Sequence, residues 1–177
     1  SGNIIGGTGI AIKLWGHTAE EMMIPGTEEM KFALGENPKR FHGLEQHRMP
    51  WTRMGTAALL RETLYKAKNY SDKLKAAETD PSKAPEPDFK LDALVRVIRG
   101  EQRVRIHCHR ADDIITAIRI AKEFGLDFTL EHATEGYKVR DVIAENHLYC
   151  IVGPLLLPPS KQEIWNLKLE NPGMLTD

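Results

Sequence analysis

Cysteine is scarce in this sequence, which contains only Cys108 and Cys150. Two cysteines are too few for a disulfide framework, so the class of small, disulfide-stabilised secreted proteins is excluded. The scarcity favours a reducing compartment, and we predict a cytoplasmic protein. Residues 1–3 lack the basic region and apolar core of a secretory signal, and the chain has no starting methionine. A start of this kind is typical of a processed end, a cloning remnant or an internal cut.

A charge excess of one sign and a long apolar run are also absent. The 24 basic and 25 acidic residues give a formal net charge of -1, so no overall field draws the chain to nucleic acid or to an anionic membrane. The longest apolar stretch, residues 151–157, is interrupted by Gly153 and Pro154. A membrane helix needs about 20 continuous apolar residues. We therefore predict no nucleic-acid partner and no membrane partner.

The composition and the predicted strands and helices are typical of a globular α/β domain. The 177 residues are 41% hydrophobic and 28% charged, as is usual for soluble domains. We predict one domain over 1–177, with a proline-rich linker or loop over 78–88. Strands are predicted at 3–14, 31–35, 104–109, 127–132 and 148–152. Helices are predicted at 56–70 (continuing to about residue 77), 91–99, 112–124 and 137–145, with a loop over 41–52. Strands that alternate with helices of about 10–15 residues indicate parallel β/α units.

Three histidines lie at or near the carboxyl ends of two predicted strands. In residues 104–109 the strand period of two places His107 and His109 on one face, and residues 127–132 end in His132. The polar face of the first strand suits a barrel lining better than an open sheet, and β/α folds build their sites at this edge. Adjacent parallel strands lie about 4.8 Å apart, which would let these histidines share one divalent cation. A surface or hydrogen-bonded role is the alternative for each histidine taken singly.

The segments around these histidines resemble a known family. Residues 104–114 (VRIHCHRADDI), 130–138 (LEHATEGYK) and 151–155 (IVGPL) are similar to the metal-dependent amidohydrolase superfamily. They are most similar to its imidazolonepropionase- and prolidase-like branch, as are residues 31–40 and 166–172. The resemblance covers most of the chain except for about residues 66–90.

The resemblance implies a (β/α)8 barrel that binds divalent metal ions at the carboxyl ends of its strands. His107 and His132 match metal ligands on the fifth and sixth strands. His109 matches a nearby position that is not a ligand, where it would orient the substrate or stabilise a developing oxyanion. Lys31 is a candidate for the carboxylated lysine that part of the superfamily uses as a ligand. Lys13 competes for that role, and either lysine is otherwise a solvated side chain.

Some metal ligands of the superfamily have no match in this sequence. The superfamily has an H-x-H pair on its first strand, but no such pair precedes Lys31, and the H-x-H of this sequence is at 107–109. The aspartate of the eighth strand is also unmatched, because no apolar strand precedes Asp177. We therefore expect a partial barrel, roughly strands 3 to 7 of a fold that typically has about 250 residues. Its active site is expected to be incomplete within this chain.

These features predict a metal-dependent hydrolase that acts on carbon–nitrogen bonds of a small non-peptide or cyclic amide through a metal-activated water. Zinc is the expected metal, with iron or manganese as alternatives, in one or two copies. A homo-oligomer is compatible with the sequence. Two other interpretations stay open. One is a barrel fragment without activity, and the other is an open-sheet α/β module that binds a nucleotide or a partner.

Three further residues have a structural alternative to a functional role. Arg53 either contacts a substrate carboxylate or covers the adjacent loop. Glu135 either contacts substrate or caps a helix. Cys108 is predicted to lie in the core, because strand alternation turns it to the apolar side.

Overall fold

The computed structural model describes residues 2–158 and 160–176, so Ser1, Pro159 and Asp177 lie outside the described residues. Within these ranges, one sheet contains five strands in the order of the chain. They are β1 (Ile5–Gly9), β2 (Glu29–Ala33), β3 (Arg103–Cys108), β4 (Phe128–His132) and β5 (Cys150–Val152). β1 is antiparallel to β2, and all other neighbours are parallel. The predicted α/β class with parallel β/α units is confirmed.

The helices are α1 (Ala19–Met22), α2 (Glu36–Lys39), α3 (Arg53–Ala77), α4 (Phe89–Ile98), α5 (Ala111–Phe124), α6 (Arg140–Glu145) and α7 (Asn171–Met174). The predicted loop over 41–52 starts instead with a π-helical turn, Arg40–Glu45. The predicted helix over 137–145 is divided at Val139, whose φ of -131° and ψ of 24° are not helical. It becomes a 3-10 turn, Gly136–Lys138, followed by α6. Among the described helices, none combines the length and apolar composition that a bilayer span needs.

Apolar residues at helical spacing place α3 against the sheet. Leu60, Leu64 and Ala67 recur at i, i+4 and i+7 and are buried. They share one core with Phe32 of β2 and Ile106 of β3. The predicted linker over 78–88 contains one 3-10 turn and joins α3 to α4, which packs beside it. The helices therefore cover one face of the sheet.

The opposite face of the sheet is charged. Lys31 of β2 is in register with Arg105 of β3, and Glu131 of β4 forms ion pairs with both. Glu29 also forms an ion pair with Arg105. A parallel sheet that is covered by helices on both faces has apolar residues on both. The polar face observed here instead agrees with the barrel-lining character predicted for β3.

Thr52 caps the N-terminus of α3. Its hydroxyl accepts a hydrogen bond from the backbone N–H of Gly55 at 3.0 Å, and this satisfies a donor that the first helical turn leaves free. We expect Thr52→Ala to lower the free energy of unfolding by about 1 kcal/mol in urea denaturation. Thr63→Ala is the matched control, because the Thr63 hydroxyl donates to the Leu59 carbonyl inside the helix and caps nothing. An equal loss in both variants would contradict the capping role.

Candidate metal centre

Three histidine side chains meet at the carboxyl ends of β3 and β4. His107 is in β3, His109 directly follows that strand, and His132 is the last residue of β4. The ring centroid of His107 lies 4.8 Å from that of His109 and 4.6 Å from that of His132. The centroids of His109 and His132 lie 4.7 Å apart. The candidate ligand nitrogens of the three rings all lie within 4.8 Å of one another. The structure therefore brings together the three histidines that the sequence places at strand ends.

Two different local conformations direct these rings to one point. His107 and His109 share a face because they are two residues apart along an extended chain. His132 is in register with Cys108, whose side chain lies in the core as predicted. The φ of His132 is 74°, in the left-handed region that residues other than glycine rarely adopt. With this backbone conformation, the His132 ring lies beside the other two histidine rings and not in the core.

Hydrogen bonds fix the proton position on two of the rings. His132 Nδ1 lies 2.5 Å from the carbonyl oxygen of Gly153, and since a carbonyl only accepts, Nδ1 carries the proton. Lys161 donates to Asn37 Oδ1 at 2.6 Å, so the Asn37 amide N–H donates to His107 Nε2 at 3.0 Å. In the neutral form of both rings, Nε2 is therefore the unprotonated nitrogen that a metal ligand requires, and in His107 its lone pair accepts the hydrogen bond from Asn37.

Burial keeps these rings neutral. Loss of contact with water lowers the pKa of His107 to about 4 and that of His109 to about 3, and this effect outweighs the opposing attraction of Glu163. Burial likewise lowers the pKa of His132. His109 Nδ1 is hydrogen-bonded to the Thr134 hydroxyl at 2.7 Å, which fixes the ring orientation. At neutral pH the site therefore presents three uncharged imidazoles.

A carboxylate that the sequence analysis missed lies beside the three rings. Glu163 is in the 3-10 turn Gln162–Ile164 after β5, and its side chain is fully buried. Its Oε1 lies 3.7 Å from His109 Nε2 and 4.0 Å from His107 Nε2. Burial acts to raise the pKa of Glu163, but the backbone N–H of Glu36, which donates to its Oε2, acts against this, and the pKa is lowered overall. A turn of three residues has no periodicity, so the sequence carries no pattern that marks this position.

Lys31 adjoins the three histidines, because the carboxylate of Glu131 lies close to both Lys31 and His132. It forms an ion pair with Glu131, and Glu131 Oε2 also lies 3.6 Å from His132 Nε2. Burial, and then repulsion by Arg105, lowers the pKa of Lys31 to about 8. Lys13 is exposed, and its backbone N–H bonds to the end of α1. Of the two candidate lysines, Lys31 is thus the one that adjoins the site.

Arg53 and Glu135 have defined structural partners. Arg53 Nε donates to Asp113 at 3.0 Å, and its Nη2 donates to Glu163 at 3.3 Å. Arg53 is therefore part of a buried ion network with Asp113 and Glu163. Glu135 Oε2 accepts a hydrogen bond from the backbone N–H of Ala111 at 2.9 Å. Because Ala111 is the first residue of α5, the helix-capping interpretation of Glu135 is confirmed.

The chain is similar in sequence and structure to proteins named amidohydrolase. The crystal structure of an amidohydrolase from Thermotoga maritima MSB8 matches 99% of this chain with a TM-score of 0.94 and 42% sequence identity, and the match covers 46% of that protein. Amidohydrolase tasK from Hapsidospora irregularis is 28% identical over 64% of this chain and 12% of its own length. The chain thus spans less than half the length of either relative. No family model matches it. This similarity agrees with the resemblance to the amidohydrolase superfamily that the sequence motifs indicate.

Proposed function

We propose that the chain is part of a metal-dependent hydrolase that acts on carbon–nitrogen bonds of a small non-peptide or cyclic amide. The observation that carries the proposal is the convergence of His107, His109 and His132 at one edge of a parallel sheet. Similarity to two proteins named amidohydrolase supports the bond class. The imidazolonepropionase- and prolidase-like branch is part of the proposal, on the motifs around residues 104–114 and 130–138.

The same proposal includes a (β/α)8 barrel. The strands β2 to β5 follow the order of the chain without reversal, as strands do in such a barrel. A doubly wound open sheet instead reverses its order at a switch point. The charged face that contains Lys31, Arg105 and Glu131 suits a barrel interior near a site better than a helix-covered face. The parallel strands β2 to β5 would correspond to roughly strands 4 to 7 of the barrel, whereas β1 is antiparallel to β2 and does not fit the predicted strand 3.

The donor set fits a divalent metal ion. Neutral imidazole nitrogen is a preferred ligand of zinc, and iron and manganese are the alternatives, with one or two ions bound. His107 and His132 would hold the metal through Nε2. Glu163 Oε1 has no hydrogen-bond partner among the described residues, and it faces two of the rings. When bound, the metal supplies Lewis acidity and makes hydroxide available near neutral pH.

The residues of the chain orient these donors. The Gly153 carbonyl holds the proton of His132 on Nδ1 and leaves Nε2 directed to the site. Lys161 holds Asn37, whose amide donates to the lone pair of His107 Nε2. A cation would use the same lone pair, so the Asn37 side chain has to turn aside when the site is filled.

His109 and Lys31 have proposed roles that rest on the resemblance. His109 would orient the substrate or stabilise an oxyanion, and its place beside the other two rings adds metal ligation as an alternative. Lys31 would act as a carboxylated ligand, which forms when a free amine takes up carbon dioxide and releases a proton. Its pKa of about 8 increases the free-amine fraction, although Glu131 has to release it first. A cytoplasmic location, a homo-oligomer and a small-molecule amide as the sole class of partner remain predictions.

Metal analysis combined with turnover tests this function. The chain produced with zinc, iron and manganese available should carry at least one equivalent of divalent metal, and the hydrolase of which it is proposed to be part should hydrolyse hydantoin- or imidazolone-like amides. Removal of the metal by a chelator should stop turnover, and its return should restore it. Bound metal without turnover would favour the barrel fragment without activity. The absence of both would contradict the proposal.

A further inference from the structure

Glu163 is held at the histidine cluster by one of its two carboxylate oxygens. Its Oε2 accepts hydrogen bonds from the backbone N–H of Glu36 at 2.7 Å and from Arg53 at 3.3 Å. Arg53 also binds Asp113, so the cation that holds Glu163 is itself fixed by a second buried carboxylate. These contacts join the turn after β5 to the N-termini of α2, α3 and α5. The position of Glu163 is therefore set, directly or through Arg53, by three other parts of the chain.

The other oxygen of Glu163 points into the site without a partner. Oε1 is buried and has no hydrogen bond within the described residues. Its nearest polar neighbours are His109 Nε2 at 3.7 Å, Lys161 Nζ at 3.7 Å and His107 Nε2 at 4.0 Å, all beyond hydrogen-bonding distance. Lys161 donates to Asn37 at 2.6 Å instead. Lys161 is close enough for an ion pair, but a buried carboxylate oxygen without a hydrogen bond is unfavourable, which points to a ligand that would satisfy it.

Gly35 has no side chain, and this leaves room for the carboxylate of Glu163. A Cβ atom at Gly35 would lie 2.6 Å from Glu163 Oε2 and 3.2 Å from Asp113 Oδ2. Gly35 also has a φ of 80°, which is strained for any other residue. A side chain at position 35 would therefore displace Glu163 from the Glu36 N–H. The glycine between β2 and α2 allows the carboxylate to reach its place.

We propose that Glu163 Oε1 is an anionic ligand of the cation that His107 and His132 bind, and that His109 takes its alternative role as a third histidine ligand of that cation. The inference rests on the metal site of the proposed function and adds a residue to it. Three neutral imidazoles bring no charge to offset a divalent cation, and Glu163 brings one negative charge. Neighbouring ligand atoms of a tetrahedral zinc site lie about 3.4 Å apart when bonds are about 2.0–2.2 Å long. The distances of 3.7 and 4.0 Å from Oε1 to the two Nε2 atoms need shifts of a few tenths of an ångström to match.

Zinc affinity of the apoprotein tests this assignment without reference to activity. Competition with a chromophoric chelator should show that Glu163→Gln weakens zinc binding by at least about tenfold, since even partners outside the ligand set contribute about 10–100-fold. The visible spectrum of the Co²⁺-substituted protein should change as one oxygen ligand is lost. Glu123→Gln is the matched control, because it removes a carboxylate that pairs with an arginine, Arg61, outside the histidine cluster. It should keep the wild-type affinity and spectrum.

The results of these experiments distinguish a failure of this inference from a failure of the proposed function. A wild-type protein that binds none of zinc, iron and manganese overturns both. Wild-type affinity and an unchanged Co²⁺ spectrum in Glu163→Gln overturn the role of Glu163 alone, as does an equal loss in Glu123→Gln. If Glu163→Gln does not fold, anomalous diffraction from zinc-soaked wild-type crystals gives the answer. Zinc about 2.0–2.2 Å from Oε1 supports the proposal, and zinc well beyond that distance overturns it.

Discussion

His132→Ala should abolish tight binding of zinc. The variant removes the ring whose Nδ1 proton is fixed by Gly153 and whose Nε2 is free. The lone pair of His107 is shared with Asn37, so the remaining donors are a weaker set. We expect the affinity to fall by more than the roughly 10–100-fold that loss of an outer partner causes. Metal content after gel filtration and competition with a chelator measure the effect.

His107→Ala should give the same result, because both rings belong to one group of nitrogens within 4.8 Å. His17→Ala is the matched control, since His17 is exposed and lies outside that group. A thermal unfolding curve shows whether each variant is folded. Full metal content in either His132→Ala or His107→Ala would mean that the ligand assignment is wrong.

Arg53→Ala should lower the free energy of unfolding by about 3–5 kcal/mol, as expected when one partner of a buried ion pair is removed. The Arg53 side chain is 18% exposed, and those of its partners Asp113 and Glu163 are 6% and 0% exposed. Without the guanidinium, two buried carboxylates would face each other without a cation between them. Urea denaturation of the metal-free protein measures the loss.

The loss in Arg53→Ala should depend on pH. Burial raises the pKa of Asp113 to about 6, although Arg53 acts to lower it. The folded chain therefore binds more protons than the unfolded chain between about pH 4 and pH 6, and the stability contributed by Asp113 falls as pH rises through that window. Removal of Arg53 makes ionisation of Asp113 harder still, so the loss should be larger near about pH 8 than near about pH 5. An equal loss at both values would indicate that it arises from packing.

Arg61→Ala is the matched control for Arg53→Ala. Arg61 makes two hydrogen bonds of 2.7 Å to Glu123, which is better geometry than that of Arg53. The pair is solvent-accessible, however, and surface ion pairs contribute little because water and salt screen them. A loss in Arg61→Ala as large as that in Arg53→Ala would contradict the role assigned to burial.

Local patterns in the sequence were enough to predict most of the sheet and its main helices. Alternation in residues 104–109 predicted β3, and the spacing of Leu60, Leu64 and Ala67 predicted α3. Helix boundaries near Val139 and the π-helical turn at Arg40–Glu45 were not predicted, because no periodic pattern marks them. Propensity describes single segments, whereas such irregular turns depend on what packs around them.

The candidate site, like the fold, was predicted only in part from the sequence. His107 and His109 could be assigned to one face because a strand has a fixed period of two. The network of Glu163, Arg53 and Asp113 could not be inferred, because its members are 50 to 110 residues apart and share no motif. Contacts of that separation are created by the packing of loops at the strand ends. No local signal in the sequence describes them.

The sequence by itself determined that this chain is an α/β protein with three histidines at the ends of parallel strands. Hydrophobic periodicity and the direction of parallel strands are local properties, so they can be read from residue order. The tertiary structure alone decided that His132, with a φ of 74° and a hydrogen bond to Gly153, joins the other two rings. It also decided that Glu163 faces them from a distant turn. Both depend on backbone conformation and burial, which arise when the whole chain packs.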